Sequence, residues 1–350
     1  MNLGELSALL VWGATTAYAI AFVAFAVDLA GLADDRAGSA AGKASSAGRD
    51  TTSAAGTRRA GASTTALAER TGVGAERTGV GAEPTGGGGG RPGRRAAGIA
   101  MATTTAGLAL HVAGTVLRGV AAGRVPWANM YEFALVGALV AVATFLVLCR
   151  RRDVRFLGTI VVGLVVVGLG VGLTAFYVPA AAVEPALQSY WLVIHVSIAI
   201  IATGLLTVSF AASVLQLLKD SRDNGSPYLN SRRWRPLDAL PSTRELEALS
   251  FRITAVGFVL WTFTVMAGAI WAEHTWGRYC GWDPKEVWSF VVWVVYAAYL
   301  HARTTRGWSG RRAAWFVVIG YATVLFNFTG VNLLFSGKHA YSGLPTDTSS

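Results

Sequence analysis

Long apolar runs alternate with shorter polar connections along most of this chain. We place eight runs at residues 7–30, 97–117, 130–149, 156–177, 190–217, 251–272, 286–302 and 313–335. A helix needs about 20 mostly apolar residues to cross the hydrocarbon core of a bilayer. The pattern therefore predicts an all-α integral membrane protein with about eight transmembrane helices.

The basic residues predict the orientation of these helices, because cytoplasmic connections are enriched in Lys and Arg. One set of alternate connections holds 25 of the 30 Lys and Arg residues, and the other set holds five. The first set is predicted to be cytoplasmic, which puts both termini outside the cell (plasma) membrane. Membrane orientation also explains the net charge of +10. We therefore expect contact with membrane lipid and none with nucleic acid.

One connection differs in composition from the rest of the chain. Residues 32–96 are rich in Gly, Ala, Ser and Thr, and the sequence RTGVGAE occurs twice in succession, at 70–76 and 77–83. Such a segment buries too little apolar surface to offset its ordering entropy. We predict a first transmembrane helix within 1–31, a disordered low-complexity cytoplasmic insertion at 32–96, a seven-helix membrane core at 97–343 and a C-terminal tail at 344–350.

Tryptophan is concentrated around one predicted outer loop, at about 271–288. Six of the twelve tryptophans lie between residues 261 and 293, among them Trp276, Trp282 and Trp288. Within the loop, Asp283 followed by Pro284 is typical of an N-cap with proline at the first helical position. An interfacial aromatic belt is the alternative interpretation. Because belts are scattered rather than concentrated in one loop, we favour a platform for a large planar ligand.

Two histidines are predicted to approach the same membrane face as this loop. His195 lies five residues into the fifth span, roughly 7 Å below its outer start. His339 follows the last span, also on the outside. Neutral imidazole is a common axial ligand of haem iron, so the pair predicts a bis-histidine haem site. Either histidine alone would be interpreted as a buried, hydrogen-bonded side chain.

His301 belongs to a different depth of the membrane. It lies 18 residues after Asp283, which is roughly 27 Å further along a straight helix. It is therefore either structural or part of a second, inner haem site. Its partner there would be His111 of this chain or a histidine of another subunit. His274, beside Glu273 on the outer side, is assigned no role.

Two cysteines, Cys149 and Cys280, are present without a CxxC motif, which makes thiol–disulfide chemistry by this chain improbable. In a further outer loop, Asn129 with Glu132 three residues later resembles a capping box at the start of the third span. A haem propionate is an alternative partner for the nearby Arg124.

Several of these motifs together resemble the CcsA/ResC family of cytochrome c biogenesis proteins, of system II and of the actinobacterial type. The segment WGRYCGWDPKEVW at 276–288, followed by YLHAR at 299–303, resembles the family's tryptophan-rich (WWD) signature. The segments YWLVIHV at 190–196 and GKHAY at 337–341 resemble its flanking histidine motifs. PWANMYE at 126–132 resembles its first outer loop. One departure is Cys280, which occupies a position where the family usually has tryptophan.

The resemblance implies a haem-handling subunit of a cytochrome c synthase, or haem lyase, that acts with a ResB/CcsB-like membrane partner. Haem b would be presented at the outer face for attachment to the CxxCH segment of apocytochrome c. His195 and His339 would be the axial ligands, and His301 would match the family's intramembrane histidine, with its mate in the partner. The presenting loop would contribute Trp276, Trp282, Asp283 and Trp288.

Three other functions use some of the same features. A haem exporter without ligase activity would need the same histidines. A proton or solute transporter would use the intramembrane histidines as a relay but would leave the tryptophan loop unexplained. A respiratory cytochrome b subunit would hold haem between histidines inside the membrane, whereas the clearest pair here lies at the outer face.

Overall fold

The computed structural model describes residues 2–55, 92–181 and 189–338. Within these ranges the chain forms helices joined by short connections. They are α1 (Leu3–Ala55), α2 (Pro92–Ala122), α3 (Met130–Arg151), α4 (Gly158–Ala175), α5 (Tyr190–Asp223), α6 (Thr243–Trp276), α7 (Pro284–Arg306), α8 (Arg311–Leu325) and α9 (Val331–Leu334). A π-helical turn, Phe326–Gly330, connects α8 to α9, and Arg155–Leu157 and Arg232–Ala239 are 3-10 helices.

The helical membrane fold predicted from the apolar runs is confirmed. Seven segments of the described ranges are long and apolar enough to cross a bilayer, and they coincide with seven of the eight predicted spans. The remaining predicted span, 286–302, is helical within the 23-residue α7 but is less apolar than the others. The count of eight spans and the outside position of both termini stay predictions.

The helices begin where the sequence supplies capping groups. Asn129 caps α3, and Ser242 caps α6 in a capping box with Glu245. Asp283 caps α7 in the same way with Glu286, and Pro284 takes the first helical position as predicted. These caps bind backbone N–H groups that a helix leaves without partners in its first turn.

Helix α5 lies at the centre of the bundle. It packs against α3, α6 and α8, and 67% of its most apolar stretch of 18 residues is buried. On one side, α1 to α4 form a cluster with the C-terminal half of α5, and on the other side α5 to α8 form a second cluster around Trp261 and Tyr296. His195 lies on this central helix beside a third cluster, formed by Leu192, Val196, Ile200 and Trp271.

The predicted insertion at 32–96 overlaps the ends of two helices. Helix α1 continues to Ala55 and α2 begins at Pro92. Residues 56–91, which include the repeat, lie outside the described residues. The predicted disorder and the domain boundaries therefore stay predictions.

Candidate haem site

A cavity of about 380 Å³ lies where α3, α5, α6, α7 and the α8–α9 segment meet. Its volume falls in the range of roughly 300–1,000 Å³ that is usual for small-molecule and cofactor sites. Most of its lining is apolar and aromatic. The aromatic members are Trp127, Phe133, Trp261, Trp271, Tyr279, Trp282, Phe290 and Phe328.

His195 lines this cavity from the first turns of α5. Its Nδ1 lies 2.9 Å from the backbone carbonyl oxygen of Thr264 on α6. A carbonyl oxygen only accepts hydrogen bonds, so Nδ1 must carry the proton. In the neutral ring Nε2 then holds the lone pair, which is the arrangement found in metal-ligating histidines whose other nitrogen is hydrogen-bonded.

The ring of His195 is held between two features of α6. It stacks on Trp271, with ring centroids 6.1 Å apart and an interplanar angle of 10°. On the same helix, Gly268 allows the close approach, because a Cβ at that position would lie 2.7 Å from Cε1 of His195. Trp271 is itself almost fully buried. The orientation of the imidazole is therefore set by the fold of α5 against α6.

Trp282 lies on the rim of the cavity and is strongly exposed, with 79% of its surface accessible. Its backbone φ is +57°, in the left-handed region that a bulky residue rarely adopts. Strained backbone of this kind tends to occur at ligand sites. The loop thus exposes the indole of Trp282 to solvent next to the cavity, and the positive φ makes this backbone conformation unfavourable.

The end of the tryptophan loop is fixed by Glu286. Its Oε2 accepts hydrogen bonds from the backbone N–H groups of Gly281 (2.7 Å) and Asp283 (3.1 Å). The thiol of Cys280, which lines the cavity, lies 3.5 Å from the same oxygen. The carboxylate therefore shapes the loop around the exposed Trp282.

Part of the cavity wall, on α7 and the π-helical turn after α8, is polar. Nζ of Lys285 donates to the backbone carbonyl oxygen of Asn327 at 2.7 Å, and Nδ2 of Asn327 lies 3.3 Å from Oγ of Ser289. Lys285 precedes the predicted span, and burial of its ammonium lowers the pKa from the usual value to about 8, which the nearby Asp283 carboxylate opposes. All three side chains line the cavity.

A buried ion cluster supports the loop that carries Trp127. The carboxylate of Glu132 accepts hydrogen bonds from Arg118 Nε (2.9 Å) and Arg124 Nη1 (2.7 Å). Both Glu132 and Arg118 are fully buried. Glu132 also accepts from the backbone N–H of Ala128, next to Trp127. Arg124 is thus paired with Glu132. The sequence had left a haem propionate as an alternative partner for Arg124.

The other predicted site residues are more dispersed. Trp276 does not line the cavity but packs edge-on against Trp271, with centroids 4.9 Å apart. Trp288 likewise packs against Phe326 instead, at 4.3 Å. His301 is exposed on α7, and His339 lies outside the described residues. Their roles in haem binding stay predictions.

The two candidates for the inner site have different surroundings. His111 is fully buried on α2, where its Nδ1 lies 3.3 Å from the hydroxyl oxygen of Tyr18 on α1. His301, by contrast, presents its side chain on the surface of α7. His111 is therefore engaged with α1 through its Nδ1, and the partner of His301 at an inner site stays a prediction.

Several lining residues were not selected from the sequence as site residues. Trp261 and Trp271 belong to the tryptophan-rich segment and Trp127 to the PWANMYE motif, but none of the three is a predicted site residue, and no sequence signal distinguishes Asn327. The one available signal was in the WDPKE segment, where Lys285 is a charged residue beside an apolar run. The remaining residues come from helices whose faces meet only in the folded bundle.

Several known proteins are similar to this chain in sequence. The family model described as "Cytochrome C assembly protein" matches residues 127–339, more than half of the chain. A cytochrome c biogenesis protein CcsA of Synechococcus sp. (strain CC9605) is 34% identical over 254 residues, covering 66% of this chain and 83% of that protein. CcsA of Chlamydomonas reinhardtii is 33% identical over 232 residues, covering 63% of this chain and 61% of that protein.

A solved structure has a similar fold. The cytochrome c haem lyase CcmF aligns with a TM-score of 0.60 at 15% identity, covering 98% of this chain. This chain spans about half, 49%, of the CcmF chain. At this low identity the likeness concerns the fold. The sequence matches lead to one conclusion: the chain belongs to the family of cytochrome c assembly proteins and is a membrane protein of cytochrome c maturation.

Proposed function

We propose that this chain binds haem b as a substrate in the cavity between α5, α6 and α7 and presents it at the outer membrane face. The observation that carries the proposal is the geometry of His195. Its Nδ1 proton is committed to the Thr264 carbonyl, and its ring is stacked on Trp271 at the cavity wall. A neutral imidazole with Nε2 as the coordinating atom suits haem iron.

The lining of the cavity fits a large planar ligand. Indole and phenyl rings dominate it, and such rings stack on extended π-systems and exclude water. Trp282 at the rim extends this surface to the exterior. We propose that Trp276, Asp283 and Trp288 act by supporting this loop, through the packing and capping described above.

His339 is proposed as the second axial ligand. It follows Lys338, whose backbone N–H is hydrogen-bonded to Asp283 at the edge of the tryptophan loop. Two imidazoles on opposite faces would hold the iron while leaving the porphyrin edge accessible. Each thiol of the apocytochrome CxxCH segment would then add across one haem vinyl group: the S–H bond and the vinyl π bond break, one C–S and one C–H bond form, and no external oxidant or reductant is needed.

A ResB/CcsB-like membrane subunit is proposed to complete the synthase. The exposure of His301 on α7 favours a contact with such a partner, because an imidazole facing lipid is costly. A second, inner haem site between His301 and a partner histidine would account for it. In this assembly the chain would work as part of a holocytochrome c synthase in the plasma membrane.

The test is covalent attachment of haem to an apocytochrome c co-expressed with this chain and its partner. We expect haem-stained cytochrome with the wild type and a loss of at least tenfold with His195→Ala. His274→Ala is the matched control. His274 is exposed near the C-terminal end of α6, the end that carries Trp271, and it does not line the cavity. Haem export without covalent product would favour the exporter, and unchanged maturation in His195→Ala would refute the proposal.

A further inference from the structure

One wall of the cavity has a chemistry that axial ligation does not use. Lys285 is the only Lys or Arg among the described residues that line the cavity. The other charged lining residue, Glu286, has its Oε2 committed to the backbone of the tryptophan loop. An ammonium in an apolar cavity is unfavourable unless an anion or several acceptors offset its desolvation.

The neighbours of Lys285 leave most of its donors available. Its ammonium has three N–H donors, of which one goes to the Asn327 carbonyl oxygen. The carboxylate of Asp283 accepts from the backbone N–H groups of Lys285 and Lys338. Among the ion pairs of the described residues none includes Lys285. A cation aimed at the cavity is thus present without a carboxylate bound to its ammonium.

Asn327 adds a second polar group to the same wall. It is only 5% exposed, and in the described part of the chain its Oδ1 has no hydrogen-bond partner. Rotation of the side-chain amide by 180° would exchange its oxygen and nitrogen. The Ser289 hydroxyl could then donate to Oδ1, and the NH₂ group, no longer bound to Ser289, could donate to a ligand. Asn327 sits in the π-helical turn Phe326–Gly330, and such turns are frequent at functional sites.

We infer that Lys285 and Asn327 bind a carboxylate of the substrate, a propionate of haem, and so fix which edge of the macrocycle faces this polar wall of the cavity. This inference rests on the proposed function. Haem carries its two propionates on one side and its two vinyl groups on the other. Anchoring the propionate side at this wall turns the vinyl groups away from it, toward the thiols that must reach them.

The experiment compares two ligands on the purified chain with its partner: haem and haem whose propionates are both methyl esters. The variants are Lys285→Met, which removes the charge at similar length, and Lys285→Arg, which keeps it. Arg278→Met is the matched control, because it removes a positive charge from the same loop without touching the cavity lining. Affinity is measured by titration of the visible absorption.

We expect Lys285→Met to weaken haem binding about tenfold or more and to leave binding of the diester unchanged, since charge-assisted hydrogen bonds are the stronger class. Lys285→Arg and Arg278→Met should bind both ligands as the wild type does. Equal weakening of both ligands in Lys285→Met, or no weakening of either, would overturn the carboxylate site. A wild-type protein that binds neither ligand would instead refute the proposed function.

Discussion

The backbone N–H of Lys338 donates a hydrogen bond of 2.8 Å to Oδ1 of Asp283, the residue that caps α7. Nζ of Lys338 also lies 5.5 Å from the ring centre of Trp276. A side chain at Gly337 would overlap the same Asp283 oxygen, which explains glycine there. The segment that leads to His339 is thus tied to the tryptophan loop 55 residues earlier.

Gly268→Ala tests whether the close packing of α6 orients His195. The added Cβ would lie 2.7 Å from Cε1 and 2.9 Å from Nδ1 of His195. We expect the imidazole to shift away from the Thr264 carbonyl and the low-spin haem spectrum to weaken or change. Gly170→Ala on α4 is the control, because a Cβ there meets nothing within 4 Å. Identical haem spectra in the two variants would contradict this role of Gly268.

Trp282→Gly tests whether the strained backbone of Trp282 is retained for haem binding and not for stability. A glycine removes the penalty of the positive φ, roughly 1–3 kcal/mol, against an entropic cost of about 0.5–1 kcal/mol. Because the indole is largely exposed, we expect the melting temperature to hold or rise while haem retention falls. Trp282→Phe, which keeps an aromatic ring, should retain more haem. If Trp282→Gly instead melts earlier and binds haem normally, the loop is a structural feature and not a binding surface.

Glu132→Gln tests the ion cluster beneath the Trp127 loop. Two guanidinium groups share this buried carboxylate, and removing one partner of a buried ion pair costs about 3–5 kcal/mol. We expect a clear fall in the melting temperature of the purified protein. Asp153→Asn provides the comparison, because the Asp153–Arg155 pair is exposed and such pairs contribute about 0–1 kcal/mol. Equal melting temperatures of the two variants would show that the cluster does not stabilise the loop.

The sequence predicts the helices well because each carries its own signal. Apolar runs of membrane length, Asn129 before α3 and Asp283-Pro284 before α7 are local features, and the structure has helices at those places. The exception is α7, where polar and aromatic residues lower the apolar character. Only Val292, Tyr296 and Tyr299 of this helix are buried, so its span is predicted from its length and not from a continuous apolar face.

The candidate site is predicted in part. His195 and Trp282 are found from residue type and from the resemblance, and both line the cavity. Asn327 is not, because it reaches the cavity through the contact of the π-helical turn with α7, between residues far apart in the sequence. Gly268 is one of many glycines in the chain, and only the packing of α5 on α6 distinguishes it.

The most direct test of the haem site is the visible absorption spectrum of the purified protein with its ResB-like partner, in wild type, His195→Ala and His339→Ala. The account predicts a low-spin bis-imidazole haem spectrum in the wild type that is lost or shifted to a single-histidine form in each variant. A wild-type protein without haem, when haem and partner are plentiful, or variants with the wild-type spectrum, would contradict it.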